Sequence, residues 1–368
     1  MSFLAQIREE VHEIPPRRHR HRSPALVPAP RPRHHRLLAF LVVLGLVVVC
    51  VLALGFRFGS EAMWWIEIAR YVPFPAYLGP ALLLVGCAWP LGWRWRALAL
   101  LAPLVVATEL MGLAAGWPDE GGSRLRFMTY NIKAYLARRT PDGYAKIAWE
   151  IASQDPDVIV MQDGQTIERA DELPAPMKAA LKGRQVYVQD QYIVASRYPL
   201  SHCGPGNMSY SGQEDDFVHC TLRFAGKDID LFTAHFVSPR DGLNAARGKA
   251  SGGLLEWKDN FRDRMAQSIQ LTAAVARAKG PVIVAGDLNA DERSPVVRRL
   301  LAEGLRDAYS SAAIGYGYTL GHDLRPGFSF LRIDHVLVSP DIGVRAAAPG
   351  GRDGSEHRPV VTELLVGP

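Results

Sequence analysis

Apolar and polar positions change rhythm twice along the chain. Residues 15–36 (PPRRHRHRSPALVPAPRPRHHR) have no periodic apolar face and are Pro-rich and basic. Such a composition cannot bury enough surface to fold, and it predicts a disordered cytoplasmic tail over residues 1–36. Leu37–Phe56 then runs without a charge, long enough at 1.5 Å per residue to cross a hydrocarbon core of about 30 Å. Two further stretches are predicted as spans: 74–91, which carries Pro75, Pro80 and Pro90, and 97–116, with the single acid Glu109. After a short linker at 117–123 the pattern becomes short runs of period two alternating with helical runs, punctuated by Gly, Pro and Asp. That is the rhythm of an α/β domain over residues 124–368. Between the first two spans, residues 57–72 set Trp64, Ile68 and Tyr71 at helical spacing beside Glu61, Glu67 and Arg70. An interfacial amphipathic turn and an ordinary connecting loop both fit.

Charge sharpens this division. Of the formal net charge of +5, residues 1–116 hold 12 Lys+Arg against 6 Asp+Glu, and residues 117–368 hold 30 against 31. Eight arginines precede the first span, and Arg94 and Arg96 sit between the second and third. Because basic residues flanking spans prefer the cytoplasmic side, three spans place the N-terminus inside and the domain outside the cytoplasm, as in a multi-pass protein of the inner or plasma membrane. A near-neutral domain lacks the basic stripe of a nucleic-acid binder. The 48% hydrophobic content and four cysteines exclude both a disordered chain and a disulfide-stapled mini-protein. Cys203 and Cys220 are the only cysteines of the domain, and a bridge and two buried thiols are equally open readings.

The candidate chemistry stands where strands end. Arg124–Tyr130 leads to Asn131, in phase with Leu125, Phe127 and Thr129. Asp157–Met161 ends in Gln162 and Asp163, Leu231–Phe236 delivers His235, and Pro281–Ala285 leads through Gly286 to Asp287 and Asn289. Arg332–Ser339, expected as the last strand, carries Asp334, and the run 355–360 adds Glu356 and His357. Any one of these residues is explained by turn chemistry, but together they concentrate carboxylates, amides and imidazoles. Arg240, in the SPR that follows His235, is a candidate phosphate contact or a surface arginine. GLNAARGK (242–249) imitates a phosphate loop with the wrong spacing, and GxSxG, HExxH and CxxC are absent from the sequence.

In this order, TYN (129–131), DPDVIVMQD (155–163), AHF (234–236), GDLN (286–289), RIDHVLVS (332–339) and EHRPV (356–360) make the chain resemble the endonuclease/exonuclease/phosphatase superfamily, the fold of DNase I. Its preceding spans look like the membrane-anchored bacterial branch that includes a teicoplanin-resistance membrane protein. The resemblance implies a four-layered α-β-β-α sandwich. It also implies Mg²⁺, with Mn²⁺ as substitute, held by oxygen ligands from Asn131, Asp163 and Glu356. His357 then activates or orients the attacking water with Asp334 fixing its tautomer, Asp287 and Asn289 position the water and bind phosphoryl oxygens, and His235 contacts the phosphate and protonates the leaving oxygen. Two positions depart from the family pattern: Gln162-Asp163 stands for Gln-Glu, and Glu356-His357 for Asp-His. If both carboxylates flank one ion, the shorter and the longer side chain offset each other.

The function expected is a membrane-anchored phosphoester hydrolase acting outside the cytoplasm on a phospholipid or lipid-linked (pyro)phosphate. Its partners are the bilayer and the substrate, with no obligate protein partner. An anchored nuclease, for which nucleic acid is the partner, and a non-catalytic binding or sensing domain are the alternatives.

Overall fold

The computed structural model describes residues 33–59, 61–248, 252–323 and 327–367. Most of the expected 1–36 tail lies outside them, and Arg33–Arg36 already belong to the first helix, α1 (Arg33–Phe58). It is long and apolar enough to cross a membrane, and it is the one such helix among the described residues. The expectation of three spans is therefore corrected. Residues 74–91 form α2 (Pro75–Ala88) and a 3-10 turn at Trp89–Leu91, and residues 97–116 contribute to α3 (Trp93–Val105) and a π turn at Val106–Leu110. At 1.5 Å per residue, α2 and α3 each reach only about 20 Å. The physical reason is local for α2, bounded by Pro75 and Pro90. For the third stretch it is tertiary, because Ala114 and Ala115 pair as a strand with Gly315 and Ile314 of the domain. The three helices pack together through small residues, Val42 with Ala88 and Ala99, and Ala81 with Ala102 and Val106.

The domain opens with four strands, β1 (Ser123–Asn131), β2 (Val158–Gln162), β3 (Gln185–Gln189) and β4 (Tyr192–Ser196). A second sheet follows, from β5 (Leu200–Asn207), β6 (Asp216–Phe224), β7 (Lys227–His235), β8 (Val282–Asp287), β9 (Arg306–Asp307) and β10 (Asp334–Val338). The strand carrying Asp334 is not the last: β11 (Ile342–Pro349) and β12 (Val360–Val366) return to the first sheet. The sheet orders are β11-β12-β1-β2-β4-β3 and β9-β10-β8-β7-β6-β5.

Each sheet contains one parallel pair, β1 with β2 and β7 with β8. Both need a helical crossover, supplied by α4 (Gly143–Gln154) after β1 and, beyond the short α5 (Ala175–Ala180), by α6 (Arg240–Gly248) and α7 (Gly253–Val275) after β7. The GLNAARGK run is thus largely helix. Period-two alternation sends Leu125 and Phe127 between the sheets, against Leu231 and Ile283, while Met128 and Tyr130 meet Ile147 and Ile151 of α4. On the far face Phe232 and Val284 meet Phe261 and Met265 of α7. Helix, sheet, sheet, helix is the four-layered sandwich expected. Cys203 and Cys220 form a disulfide between β5 and β6.

Residues 61–74 do not lie free as a turn or loop. Trp257 Nε1 donates to the Trp64 carbonyl at 3.0 Å, Arg70 Nη1 makes two 3.0 Å bonds to Asp291, and Phe74 stacks on Tyr318 at 6.1 Å. Spacing marked Tyr71 as apolar-facing, but the surface it meets belongs to the domain.

Candidate active site

Parallel pairing sets carboxyl ends side by side, so Asn131 stands opposite Gln162, and His235 opposite Asp287. Antiparallel β10 places Asp334 on the other side of Asp287. His357 arrives from the chain entering β12, beside β1. Below them Gln162 Nε2 donates to Thr129 Oγ1 at 3.1 Å and Thr233 Oγ1 at 3.0 Å, tying the two sheets together under the site. Gly286 cannot be replaced freely here, since a Cβ would run into the Ala234 carbonyl oxygen. Lys133, Asp163 and Asn289 all adopt left-handed backbone, with φ of 43°, 58° and 48°, a conformation that Asn and Asp tolerate better than most.

The buried carboxylate of Asp287 is the hub. Its Oδ1 accepts the Asn289 N–H at 2.9 Å, and its Oδ2 accepts Asn131 Nδ2 at 3.0 Å. The same Oδ2 lies 3.6 Å from His235 Nε2 and 3.7 Å from His357 Nε2. His357 Nδ1 donates to Asp334 at 3.0 Å, and His235 Nδ1 donates to Gln191 Oε1 at 2.6 Å. A carboxylate and an amide oxygen can only accept, so each ring carries its fixed proton on Nδ1 and leaves Nε2 free to exchange one. His235 Nε2 is buried without a hydrogen-bond partner. The His235 backbone N–H is held by the Tyr192 hydroxyl at 2.9 Å.

Burial and like charge act against each other here. Burial, with the neighbouring Asp334 charge, pushes the Asp287 carboxyl up. Burial alone would lower His357, but the Asp334 and Asp287 carboxylates outweigh it and raise it. Burial opposes ionisation of Asp163 as well, yet His235 and Lys133 hold its carboxyl well below the usual range. Lys133 Nζ lies 2.6 Å from Asp163 Oδ2. A hub that resists charge beside an imidazole, His357, that accepts it suits proton transfer at a reacting oxygen.

Candidate ligand atoms of Asp287, Asp334 and His357 lie within 4.8 Å of one another. Together with the buried side chains of Asn131 and Asp163 they form a donor set dominated by oxygen, which fits a hard divalent cation. Asn131 and Asp163 would hold such an ion from this side, and Lys133 Nζ, 2.6 Å from Asp163 Oδ2, stands against the same carboxylate. Glu356, the other expected carboxylate, is engaged by Arg240 Nη2 at 3.3 Å and shares a cleft with His357 and Lys133. Six of the sequence-derived residues, Asn131, Asp163, His235, Asp287, Asp334 and His357, thus converge. Asn289 braces the hub through its backbone, its side-chain Nδ2 being spent on the Phe236 carbonyl at 2.7 Å.

Sequence reasoning missed Lys133, Gln191 and Tyr192. Lys133, two residues beyond Asn131, carried a signal in its position. Gln191 and Tyr192 carried none, since they meet His235 only through packing of the two sheets.

A family model described as the endonuclease/exonuclease/phosphatase family matches residues 128–357. No curated protein matches the chain. Among solved structures, truncated Caenorhabditis elegans TDP2 is 19% identical with a TM-score of 0.51, covering 67% of this chain and 99% of its own. A Bacteroides thetaiotaomicron mannosyl-6-phosphatase is 20% identical with a TM-score of 0.48, over 66% and 99%. An endonuclease/exonuclease/phosphatase family protein from the same organism is 18% identical with a TM-score of 0.49, over 67% and 99%. At these identities the likeness is one of fold.

Proposed function

The chain belongs to the endonuclease/exonuclease/phosphatase family, and from that premise we propose that it is a membrane-anchored, divalent-metal-dependent phosphoester hydrolase acting outside the cytoplasm on a phospholipid or lipid-linked (pyro)phosphate. The observation that carries the substrate class is the cleft beside His357 and Asn289, about 390 Å³ in volume. Lys133, Arg240 and Arg247 give it cationic walls, and Leu243, Leu320 and Phe330 an apolar one. Cations beside an apolar wall suit a phosphate attached to an apolar group. A nucleic acid would instead need an extended basic surface.

Mg²⁺, or Mn²⁺ in its place, supplies positive charge to the phosphoryl oxygens when bound. The chain's own residues do the rest. His357, oriented by Asp334, takes the proton of the attacking water at Nε2. His235, oriented by Gln191, gives a proton from Nε2 to the leaving oxygen. Lys133 and Arg240 balance phosphoryl charge, and Asn131 holds the Asp287 carboxylate in register between the histidines.

Anchoring rests on α1 and on the apolar residues its unit exposes, among them Leu44, Val51 and Leu83. With one span, as with three, the domain lies opposite the arginine-rich N-terminus, and the Cys203–Cys220 bridge suits an oxidising compartment. Membership of the membrane-anchored bacterial branch is part of the same proposal.

The test is turnover by the full-length protein in bilayers with Mg²⁺ on long-chain phosphatidyl lipids, polyprenyl pyrophosphate and duplex DNA. Release of headgroup or phosphate is expected. Salt-sensitive cleavage of DNA with no lipid turnover would replace this reading with a nuclease.

A further inference from the structure

The family match begins at residue 128, yet a side chain far ahead of it touches the catalytic loop. Tyr71 is buried, its ring lines the cleft beside Asn289 and His357, and its hydroxyl donates to the Asn289 carbonyl at 2.6 Å. Arg264 of α7, fully buried, donates through Nη1 both to the Tyr71 hydroxyl and, at 3.0 Å, to the same carbonyl. The Tyr71 ring packs edge-on against Trp257 at 5.6 Å. Burial pushes the hydroxyl up to about 12, so it remains a donor at working pH.

What Tyr71 holds matters, because Asn289 sits in the left-handed region and its own N–H holds Asp287 Oδ1 at 2.9 Å. That bond orients the carboxylate so that Oδ2 faces His235 and His357. A continuous path therefore runs from the Tyr71 hydroxyl through one peptide backbone to the hub. The segment delivering Tyr71 is clamped on both sides of the ring. Arg70 bonds Glu67 at 2.7 Å and Asp291 at 3.0 Å, Ser294 Oγ donates to Glu67 at 2.7 Å, and Phe74 stacks on Tyr318.

We infer that Tyr71 is a positioning residue of the active site, supplied by the segment joining the N-terminal helices to the domain, and that it acts by holding the Asn289 backbone that orients Asp287. The site is then completed from outside the family domain, and residues 117–368 alone carry a loosened catalytic loop. This rests on the hydrolase reading above for its kinetic consequence, but not for its structural one.

The test uses the full-length protein and Tyr71→Phe, which removes one oxygen and keeps the cleft wall. With bis(4-nitrophenyl) phosphate and Mg²⁺, kcat should fall about tenfold, the worth of one well-aligned hydrogen bond, while KM stays within about twofold. Amide exchange over 287–290 should speed up by a similar factor. Ser153→Ala, which loses a bond to the Glu150 carbonyl on α4, across the first sheet from this segment, should change neither. Should Tyr71→Phe not fold, Trp257→Phe loosens the segment by removing the donor to Trp64 and leaves the Tyr71 hydroxyl in place; lower kcat at unchanged KM again supports the relay. Wild-type kcat and exchange in the folded variant overturn the inference. If the wild-type protein turns over no phosphoester, the hydrolase reading falls and the exchange rates alone decide this one.

Discussion

His235 and His357 come from opposite sheets and present the same ring nitrogen to one oxygen: their Nε2 atoms lie 3.6 and 3.7 Å from Asp287 Oδ2. Each ring is locked from behind by an acceptor on Nδ1, Gln191 for one and Asp334 for the other. The groups accepting from Nδ1 differ, a carboxylate behind His357 and an amide behind His235, whose ring also has Asp163 Oδ1 at 3.8 Å. Asp334 favours a proton on His357.

Asp287→Asn tests this hub directly. Since the Asp287 carboxylate helps raise His357, its loss should move the His357 titration down, as read from imidazole proton shifts by NMR. Turnover should fall by about 10³-fold or more, as should that of His357→Ala, because groups acting as a unit give individually large losses. An unmoved His357 titration would remove Asp287 from its electrostatic role.

Lys133→Met tests the competition for Asp163. The ammonium stands 2.6 Å from the carboxylate that a divalent ion would share, so removing it should tighten Mn²⁺ or Mg²⁺ binding measured by calorimetry. Turnover should nonetheless drop, since a cation facing the phosphate is lost. Chelation by EDTA should abolish wild-type turnover, and activity surviving full chelation would exclude the metal.

Asp307→Asn tests a structural charge cluster behind the site. Asp307 is buried, with Arg332 Nη1 at 2.8 Å and His335 Nδ1 at 2.7 Å, and the Arg332 charge with the His335 hydrogen bond outweighs burial to hold its carboxyl well below the usual range. Removing it takes one of two carboxylate partners from a buried arginine, which keeps Glu292, so thermal or urea unfolding should show a loss of about 1.5–3 kcal/mol. A depressed carboxyl contributes stability above its unfolded value of about 3.9, and that contribution drains away as pH falls toward the folded value. The wild-type melting temperature should therefore fall more steeply below about pH 4 than that of the variant.

Domain side is tested by C-terminal reporter fusions. An alkaline phosphatase fusion should be active and a cytosolic reporter inactive, and the reverse pattern would place the domain in the cytoplasm. Cys203→Ser with Cys220→Ser should then cost about 3 kcal/mol of stability in the protein purified from cells, as a bridge of sequence separation 17 implies.

Local pattern determined a good deal of this protein. Short apolar runs closed by polar residues located β1, β2, β7 and β8 because such a run is a property of a few consecutive residues, and the residues closing them, Asn131, Asp163, His235 and Asp287, all reach the site. Hydropathy likewise found the helix Arg33–Phe58. Tertiary structure decided what those residues meet. The third apolar stretch stops short because Ala114 and Ala115 are taken by a strand at 314–315, a pairing no window along the chain contains. Asp163 meets Lys133 and Glu356 meets Arg240, though composition offered each carboxylate many cations, because only backbone turns and sheet packing set which one is near. Tyr71 was legible as an apolar-facing residue on a helical turn, but its hydroxyl finds Asn289 only once α7 and the end of β8 are folded beneath it. Spacing carries direction within an element, whereas distance between elements is fixed by the cores that press them together.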